Sequence, residues 1–210
     1  MREADIKALL LNRLRADGIL SSRAVLANEY PVGRTSVRAD LAFLANDFVG
    51  VEIKSEHDSL RRLPLQLSTY RQFFDRTVLV LADRHVTRGE ALNLEGVDLW
   101  RLSGGNLELL ACHPKVCDAK PLADLLTAAQ REKWVDRHDP DQGRDLFTAA
   151  FRLRFGETSR QFWRATARRK IKSADLSRLS RFHHVRVDQV RLRTEREASW
   201  SQWGPTADVG

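Results

Sequence analysis

Cysteine is scarce in this sequence, with two residues in 210. So few cysteines do not support a disulfide framework and favour a reducing compartment, so we expect a cytoplasmic protein. Long apolar runs are also missing: no stretch approaches the roughly 20 residues that span a bilayer, and residues 1–5 are too polar for a signal peptide. A glycine-rich phosphate loop is absent as well, which argues against an ATPase.

Positive charge is abundant but unevenly placed. Residues 1–112 carry 15 basic and 15 acidic side chains, whereas residues 113–210 carry 20 basic and 13 acidic ones. The second half therefore accounts for the whole net charge of +7, and between 144 and 196 the basic residues number 15 against 5. Such a segment favours a polyanionic partner, nucleic acid before a membrane. The alternative is a solvated basic helical face that has no partner.

Hydrophobic periodicity changes character near residues 113–121. Before this point, alternating or unbroken apolar runs predict strands at 24–30, 37–43, 48–54, 77–82, 97–102 and 107–111, with helices at 3–16 and 60–74. After it, helical spacing predicts helices at 122–135, 146–155, 159–172 and 174–182. We therefore expect an α/β domain over 1–112, a basic helical extension over 113–199 and a loose tail over 200–210.

The strands 37–43 and 48–54 carry the candidate chemistry. Glu52 and Lys54 are two residues apart, so both side chains leave the same face of their strand. The apolar residues of both strands are odd-numbered. In an antiparallel pair, directly opposed residues share a face, and the sum of their residue numbers is the same for every pair. Both apolar sets share one face only if that sum is even, so the turn must contain an odd number of residues. Asp40 then lies on the face of Glu52 and Lys54.

Two carboxylates beside a lysine suit phosphodiester hydrolysis. Carboxylate oxygens hold Mg²⁺ or Mn²⁺ and leave coordination positions for water and phosphate, and the cation activates the water. The lysine orients that water or adds positive charge where the anion develops. The alternative is a solvated charge pair on an exposed strand. Gln66 and Tyr70 are four residues apart on the next predicted helix and so lie on the same side of it. Their presence favours a catalytic site over a solvated charge pair.

Asp40, followed by Glu52-Ile53-Lys54 after a hydrophobic strand and then by a helix, resembles the PD-(D/E)XK nuclease superfamily. The spacing of Gln66 and Tyr70 is similar to the Gln-x-x-x-Tyr motif of its RecB-like and Cas4-like exonuclease branch. The wider run from Glu29 to Asp75 resembles a group of small bacterial proteins placed in that superfamily. The match covers about residues 3–102. One departure is Ala39, which stands where the motif has proline.

The resemblance implies a restriction-endonuclease-like three-layer core with a mixed central sheet. It also implies that Asp40 and Glu52 are metal ligands, that Lys54 is the catalytic lysine, and that Gln66 and Tyr70 close over the site. Members of the superfamily use a further acidic residue near the N-terminus as a metal or water ligand. We choose Glu29 for this role over Glu3.

The expected function is Mg²⁺- or Mn²⁺-dependent cleavage of DNA, with RNA left open as a substrate. The alternative is a catalytically silent nucleic-acid-binding or protein-interaction module that keeps the fold within a repair or defence assembly. The sequence leaves open the choice between endo- and exonuclease, the strandedness of the substrate, the pathway and the oligomeric state, for which a homodimer is one option.

Basic residues of the extension are the candidate contacts to the phosphate backbone. They cluster in one short stretch: Arg164, Arg168, Arg169, Lys170 and Lys172. Phe162 and Trp163 lie next to them and have two interpretations. Either they stack on a base or they are core aromatics under a solvated basic face.

Overall fold

Six strands in sequential order form the central sheet of this computed structural model, which describes residues 1–113, 122–130 and 142–180. The strands are β1 (Val25–Pro31), β2 (Arg38–Leu44), β3 (Phe48–Lys54), β4 (Arg76–Ala82), β5 (Val97–Ser103) and β6 (Asn106–Ala111). The pairs β3–β4 and β4–β5 are parallel and the other three are antiparallel. The helices are α1 (Glu3–Ala16), α2 (Leu63–Phe73), α3 (Val86–Glu90) and α4 (Gln142–Thr166). The expected α/β fold with a mixed sheet and C-terminal helix is confirmed.

The β2–β3 hairpin has the register that the apolar pattern requires. Leu41 pairs with Val51 and Leu44 pairs with Phe48, which leaves a three-residue turn between the strands. The sum of paired residue numbers is even and the turn is odd, so this prediction is confirmed. One step further along the same register, Asp40 lies opposite Glu52.

Both faces of β3 are buried, because helices cover the sheet on each side. Its odd-numbered residues Val49, Val51 and Ile53 pack with α1 in a cluster that we call the α1 core. On the other face, Phe48 joins a cluster that we call the aromatic core. Its aromatic members are Tyr30, Phe48, Tyr70, Phe74, Phe147, Phe151 and Phe155.

Strand β2 departs from simple alternation at one end. Val37 and Ala39 were expected on the face of Leu41 and Phe43, but both belong to the aromatic core. The break coincides with Glu29 of the neighbouring strand, which has a positive φ of 55°. A left-handed backbone conformation is uncommon for a residue other than glycine and interrupts the pleat of a strand.

Helix α4 covers the free edge of the sheet. We expected two helices, 146–155 and 159–172, but one helix runs from 142 to 166 through Gly156. A glycine inside a helix costs about 1 kcal/mol, which is less than the gain from burying the large side chains on either side of it. Ser159 Oγ contacts both the N–H (2.8 Å) and the C=O (3.2 Å) of Leu26, so it pairs backbone groups of the edge strand.

Phe162 and Trp163 belong to the α1 core, where they are 0% and 5% exposed. Trp163 also donates its indole N–H to the carbonyl of Ala24 (2.8 Å). Their interpretation as base-stacking residues is therefore wrong, and they are core aromatics. A 3₁₀ helix, Ser173–Leu179, continues the chain and packs against α1 and α4.

Residues from both expected domains thus build common cores: α4 contributes to the α1 core and to the aromatic core together with the sheet. The expected helix 122–135 begins as a 3₁₀ helix, Leu122–Leu125, and its last part lies outside the described residues. The tail at 200–210 and the end of the helix at 174–182 lie outside them too. Across the described ranges, no helix is long and apolar enough to cross a bilayer.

Candidate functional site

Glu52 is the centre of a buried hydrogen-bond network between β3 and α2. Its Oε1 accepts hydrogen bonds from Lys54 Nζ and from Gln66 Nε2, both at 2.6 Å. Its Oε2 accepts a hydrogen bond from the Tyr70 hydroxyl, also at 2.6 Å. The Glu52 and Lys54 side chains are 2% and 7% exposed, so the interpretation as a solvated charge pair is wrong. The structure brings together all four of these sequence-predicted residues.

Helix α2 places Gln66 and Tyr70 over β3 because its apolar residues anchor it to the sheet. Leu63 and Leu67 pack on Leu79 and Leu81 of β4, which are the register partners of Glu52 and Lys54. Besides its bond to Glu52, Lys54 Nζ donates a hydrogen bond to Gln66 Oε1 at 3.0 Å. Burial and hydrogen bonding together fix the orientation of the glutamate and the lysine.

Asp40 lies beside this network as a partly buried carboxylate. Its Oδ2 accepts a hydrogen bond from the backbone N–H of Ile53 at 2.7 Å. Burial, followed by the negative charges of Glu52 and Glu3, raises the pKa of Asp40 to about 8. A carboxyl group with this pKa holds a proton at neutral pH unless a cation compensates its charge.

Three carboxylates form an acidic cluster at the edge of the site. One oxygen each from Glu3, Glu29 and Asp40 lies within 4.8 Å of the other two. Glu29 also pairs with Arg38, at 2.8 Å between Oε2 and Nε. The sequence-based choice of Glu29 over Glu3 was too narrow, because the first turn of α1 brings Glu3 to the same place. Contacts between a helix and a distant strand were not readable from spacing.

Lys7 is a site residue that the sequence analysis missed. Its side chain is 3% exposed, and its Nζ contacts Glu3 Oε1 at 2.6 Å, Glu29 Oε1, and Asn28 Oδ1 at 3.1 Å. Burial alone would lower the pKa of Lys7, but the hydrogen bonds with Glu29 and Glu3 raise it above its ordinary value. A signal was present: Lys7 begins the i, i+3, i+4, i+7 stripe that Leu10, Leu11 and Leu14 complete, where a lysine is out of place.

An open cleft of ≈ 430 Å³ adjoins the acidic cluster. Glu3, Lys7 and Glu29 line one side of it, and Ser173 and Ser177 of the 3₁₀ helix line the other. The basic stretch predicted to contact nucleic acid runs up to this 3₁₀ helix. The five basic residues of that stretch do not line the cleft, whose basic lining residues are Arg2 and Lys7.

All five candidate nucleic-acid contacts are solvent-exposed, and the side chains of four of them form no ion pair with a described residue. They are Arg164, Arg168, Lys170 and Lys172. Arg169 differs, because its guanidinium makes two hydrogen bonds with Asp175, at 2.7 Å and 2.6 Å. These bonds hold the pKa of Asp175 at about 2 and tie the 3₁₀ helix to the end of α4.

The raised pKa of Asp40 predicts a pH-dependent stability. The folded chain keeps a proton on Asp40 that the unfolded chain loses above about pH 4, so stability falls with rising pH until about pH 8. Asp40→Asn keeps the acceptor for Ile53 and removes the charge. We expect its free energy of unfolding, relative to wild type, to rise by about 1.4 kcal/mol per pH unit between about pH 5 and 8.

Urea denaturation in EDTA across this pH range measures the effect. Asp145→Asn, at an exposed position of α4, is the matched control and should follow the wild-type profile. A constant difference between Asp40→Asn and wild type at every pH would show that Asp40 is ionised throughout.

Fold and site together define an α/β protein with a buried Glu–Lys–Gln–Tyr network and an adjoining acidic cluster. The chain belongs to the bacteriophage P4 protein cII family, whose family model matches residues 1–118. Protein cII of Enterobacteria phage P4 is 38% identical over 84 residues, which cover 40% of this chain and 31% of that protein. The match thus spans less than a third of the length of this curated relative. The sheet, the buried network around Glu52, the acidic cluster and Lys7 all lie within the family match.

Among solved structures, a protein of unknown function from Silicibacter pomeroyi is similar to this chain. The TM-score is 0.43 at 18% sequence identity, and the superposition covers 75% of this chain and 94% of that one.

Proposed function

We propose that this protein is a metal-dependent nuclease of the PD-(D/E)XK superfamily that hydrolyses phosphodiester bonds of DNA. One observation carries the proposal: the buried Glu52 is held by Lys54, Gln66 and Tyr70 and lies opposite Asp40 in the β2–β3 register. These are five of the six residues that the resemblance implies for the site, and they come from three separate elements. A purely structural ion pair needs neither a buried glutamine and tyrosine around it nor a second carboxylate across the hairpin.

The donor set fits Mg²⁺ or Mn²⁺. Glu3, Glu29 and Asp40 offer carboxylate oxygens within 4.8 Å of one another, and hard oxygen ligands are what these cations prefer. The pKa of Asp40 is raised first by burial and then by the negative charges of Glu52 and Glu3, and a bound cation would offset those charges. Asp40 and Glu29 would hold the cation with Glu3 as an added ligand. When bound, the cation supplies an activated water and neutralises charge on the phosphate.

Glu52 has fewer lone pairs available for a metal than the resemblance implies. Both of its oxygens already accept hydrogen bonds, from Lys54 and Gln66 on one side and from Tyr70 on the other. It would serve as a metal ligand through its remaining lone pairs, and the three donors fix its orientation. Lys54 is thereby positioned to orient the attacking water or to stabilise the negative charge that develops on the phosphate.

The experiment that tests the proposal is a cleavage panel. Purified protein is incubated with single-stranded, linear and supercoiled DNA, and with RNA, in Mg²⁺, Mn²⁺ or EDTA. We expect nicking or degradation of DNA with either cation and none in EDTA. Ca²⁺ should support binding with little cleavage, since its looser coordination geometry positions water poorly. An inert protein across the whole panel would overturn the nuclease proposal.

The second candidate is a silent nucleic-acid-binding module in a repair or defence assembly, and the exposed basic stretch favours it. Both candidates place the protein on DNA in the cytoplasm. A protein that binds DNA but never cleaves it, with or without metal, would select this second function. If the protein is instead a protein-interaction module, it should neither bind nor cleave DNA.

The basic stretch predicts the salt dependence of DNA binding under either candidate. Replacing Arg168, Lys170 and Lys172 with glutamine should reduce the slope of log Kd against log salt by about 2.7, because each phosphate contact contributes about 0.9. Arg169 is left intact because its ion pair with Asp175 has a structural role. Titrations of labelled DNA at several salt concentrations measure the slope.

Arg88→Gln is the control, since Arg88 is an exposed residue of α3 that lies outside the basic stretch. We expect this control to leave the slope unchanged. Equal slopes for all three proteins would mean that the basic stretch does not face nucleic acid.

A further inference from the structure

Lys7 occupies an unusual position for a lysine. Its side chain lies on the buried stripe of α1, yet its ammonium reaches the acidic cluster at the mouth of the cleft. There it contacts Glu3, Glu29 and Asn28, so that each of its three N–H groups has an acceptor. No other lysine among the described residues contacts the acidic cluster.

Burial of an ammonium group is costly unless ion pairs and hydrogen bonds offset the lost hydration. A leucine at position 7 would complete the apolar stripe without that cost. The lysine is therefore explained by the carboxylates that it contacts rather than by the packing of α1. Without it, Glu3 and Glu29 would face Asp40 with no cation from α1 between them.

We propose that Lys7 is the resident counter-cation of the acidic cluster: its ammonium holds Glu3 and Glu29 beside Asp40 until a divalent cation exchanges with it. This inference rests on the proposed metal-dependent function and deepens it, since it makes metal entry a competition between two cations for the same carboxylates. Lys7 is thus a positioning residue, because it acts through the carboxylates. Its displaced ammonium stays on α1, at the wall of the cleft, where it faces an incoming phosphate.

The variant that tests the exchange is Lys7→Met, which keeps an apolar stem of similar length and removes the charge. Metal binding no longer has to break the contacts of Lys7 with Glu3 and Glu29. We expect Lys7→Met to bind Mn²⁺ about tenfold more tightly than wild type in calorimetric titrations. Breaking one hydrogen bond to a charged group weakens an affinity by roughly tenfold, and the variant has no such bond to break. Without metal, the melting temperature of Lys7→Met should be lower than that of wild type. Saturating Mn²⁺ should raise the melting temperature of Lys7→Met by more than it raises that of wild type.

Two further variants separate the exchange from a simple structural role. Lys7→Arg keeps a cation that bonds the carboxylates and should bind Mn²⁺ with the wild-type affinity, within about threefold. Arg13→Met removes one positive charge from the same helix, at its ion pair with Asp17, and controls for the change in net charge. Its Mn²⁺ affinity should equal that of wild type.

A measurement on the wild-type protein keeps the inference testable if Lys7→Met does not fold. Lysines are labelled with an amine-reactive reagent with and without Mg²⁺, and each site is quantified by mass spectrometry. The buried Lys7 should be protected in EDTA and react at least about threefold faster when metal displaces it, whereas the exposed Lys170 should react equally in both states.

The outcomes distinguish this inference from the proposed function. If wild type cleaves DNA but Lys7→Met binds Mn²⁺ no more tightly and Lys7 labelling is unchanged by Mg²⁺, the exchange is wrong and the nuclease stands. If neither protein binds a divalent cation and wild type never cleaves, both fail. Tighter binding by Lys7→Met, with metal-dependent labelling of Lys7, supports the exchange even before a substrate is known.

Discussion

Asp40→Asn should lower the rate of DNA cleavage by about 10²–10³-fold, the usual cost of removing one group that stabilises charge in a transition state. The amide keeps the shape of the side chain and still accepts the hydrogen bond from Ile53, so the β2–β3 hairpin is preserved. It removes the negative charge that a cation requires. DNA binding should persist or become tighter wherever wild-type Asp40 is ionised, because one negative charge facing the phosphate is then lost.

Rates on plasmid DNA in Mg²⁺, together with DNA affinities in Ca²⁺, measure the two effects separately. Lys54→Met should also abolish cleavage while it leaves metal binding largely intact, since an ammonium is not a ligand. The same Asp→Asn change at the exposed Asp145 is the control and should retain the wild-type rate. Equal cleavage by Asp40→Asn and wild type would remove Asp40 from the site.

Ending the chain at residue 141 should abolish cooperative folding rather than only weaken DNA binding. Five aromatic residues of α4 are at most 5% exposed: Phe147, Phe151, Phe155, Phe162 and Trp163. Burying such side chains contributes about 1.5–3 kcal/mol each, or about 7–15 kcal/mol together. That sum is as large as the total stability of a typical domain, about 5–15 kcal/mol. The free edge of β1 would also lose its contacts with Ser159.

Thermal unfolding followed by near-ultraviolet circular dichroism tests this expectation. A chain that ends at residue 180 keeps every described core residue and is the matched control, which should melt in one sharp transition. If residues 1–141 alone melted as sharply, the sheet would be independently stable and the aromatic contacts of α4 would be dispensable.

The sheet and its central hairpin were accessible from sequence because their information is local. The limits of β3 were predicted to the residue, since Phe48 and Lys54 bound an uninterrupted alternating run. The β2–β3 register followed from parity, because a shift by one residue would move a whole apolar set to the wrong face. These two facts predicted that Asp40 shares a face with Glu52 and Lys54.

The rest of the site depends on contacts between elements far apart in the chain. Lys7 and Glu29 are separated by 21 intervening residues, and their contact depends on how α1 crosses the sheet. The positive φ of Glu29 has no sequence signature, since glycine or asparagine is the usual residue there. The single long α4 was missed because Gly156 predicts a break, and only the tertiary burial of its neighbours overrides that preference.

The closing of the sheet edge by α4 has a consequence for how the protein is made. The last strand ends at residue 111, but the described core is complete only at residue 179, where Leu179 packs into the α1 core. At translation rates of about 5–20 residues per second, a ribosome needs about 3–14 s to synthesise the intervening stretch. During that interval the nascent chain exposes an unpaired strand edge and uncovered apolar side chains. Slower translation of this stretch would lengthen the interval in which chaperones must protect the nascent chain from aggregation.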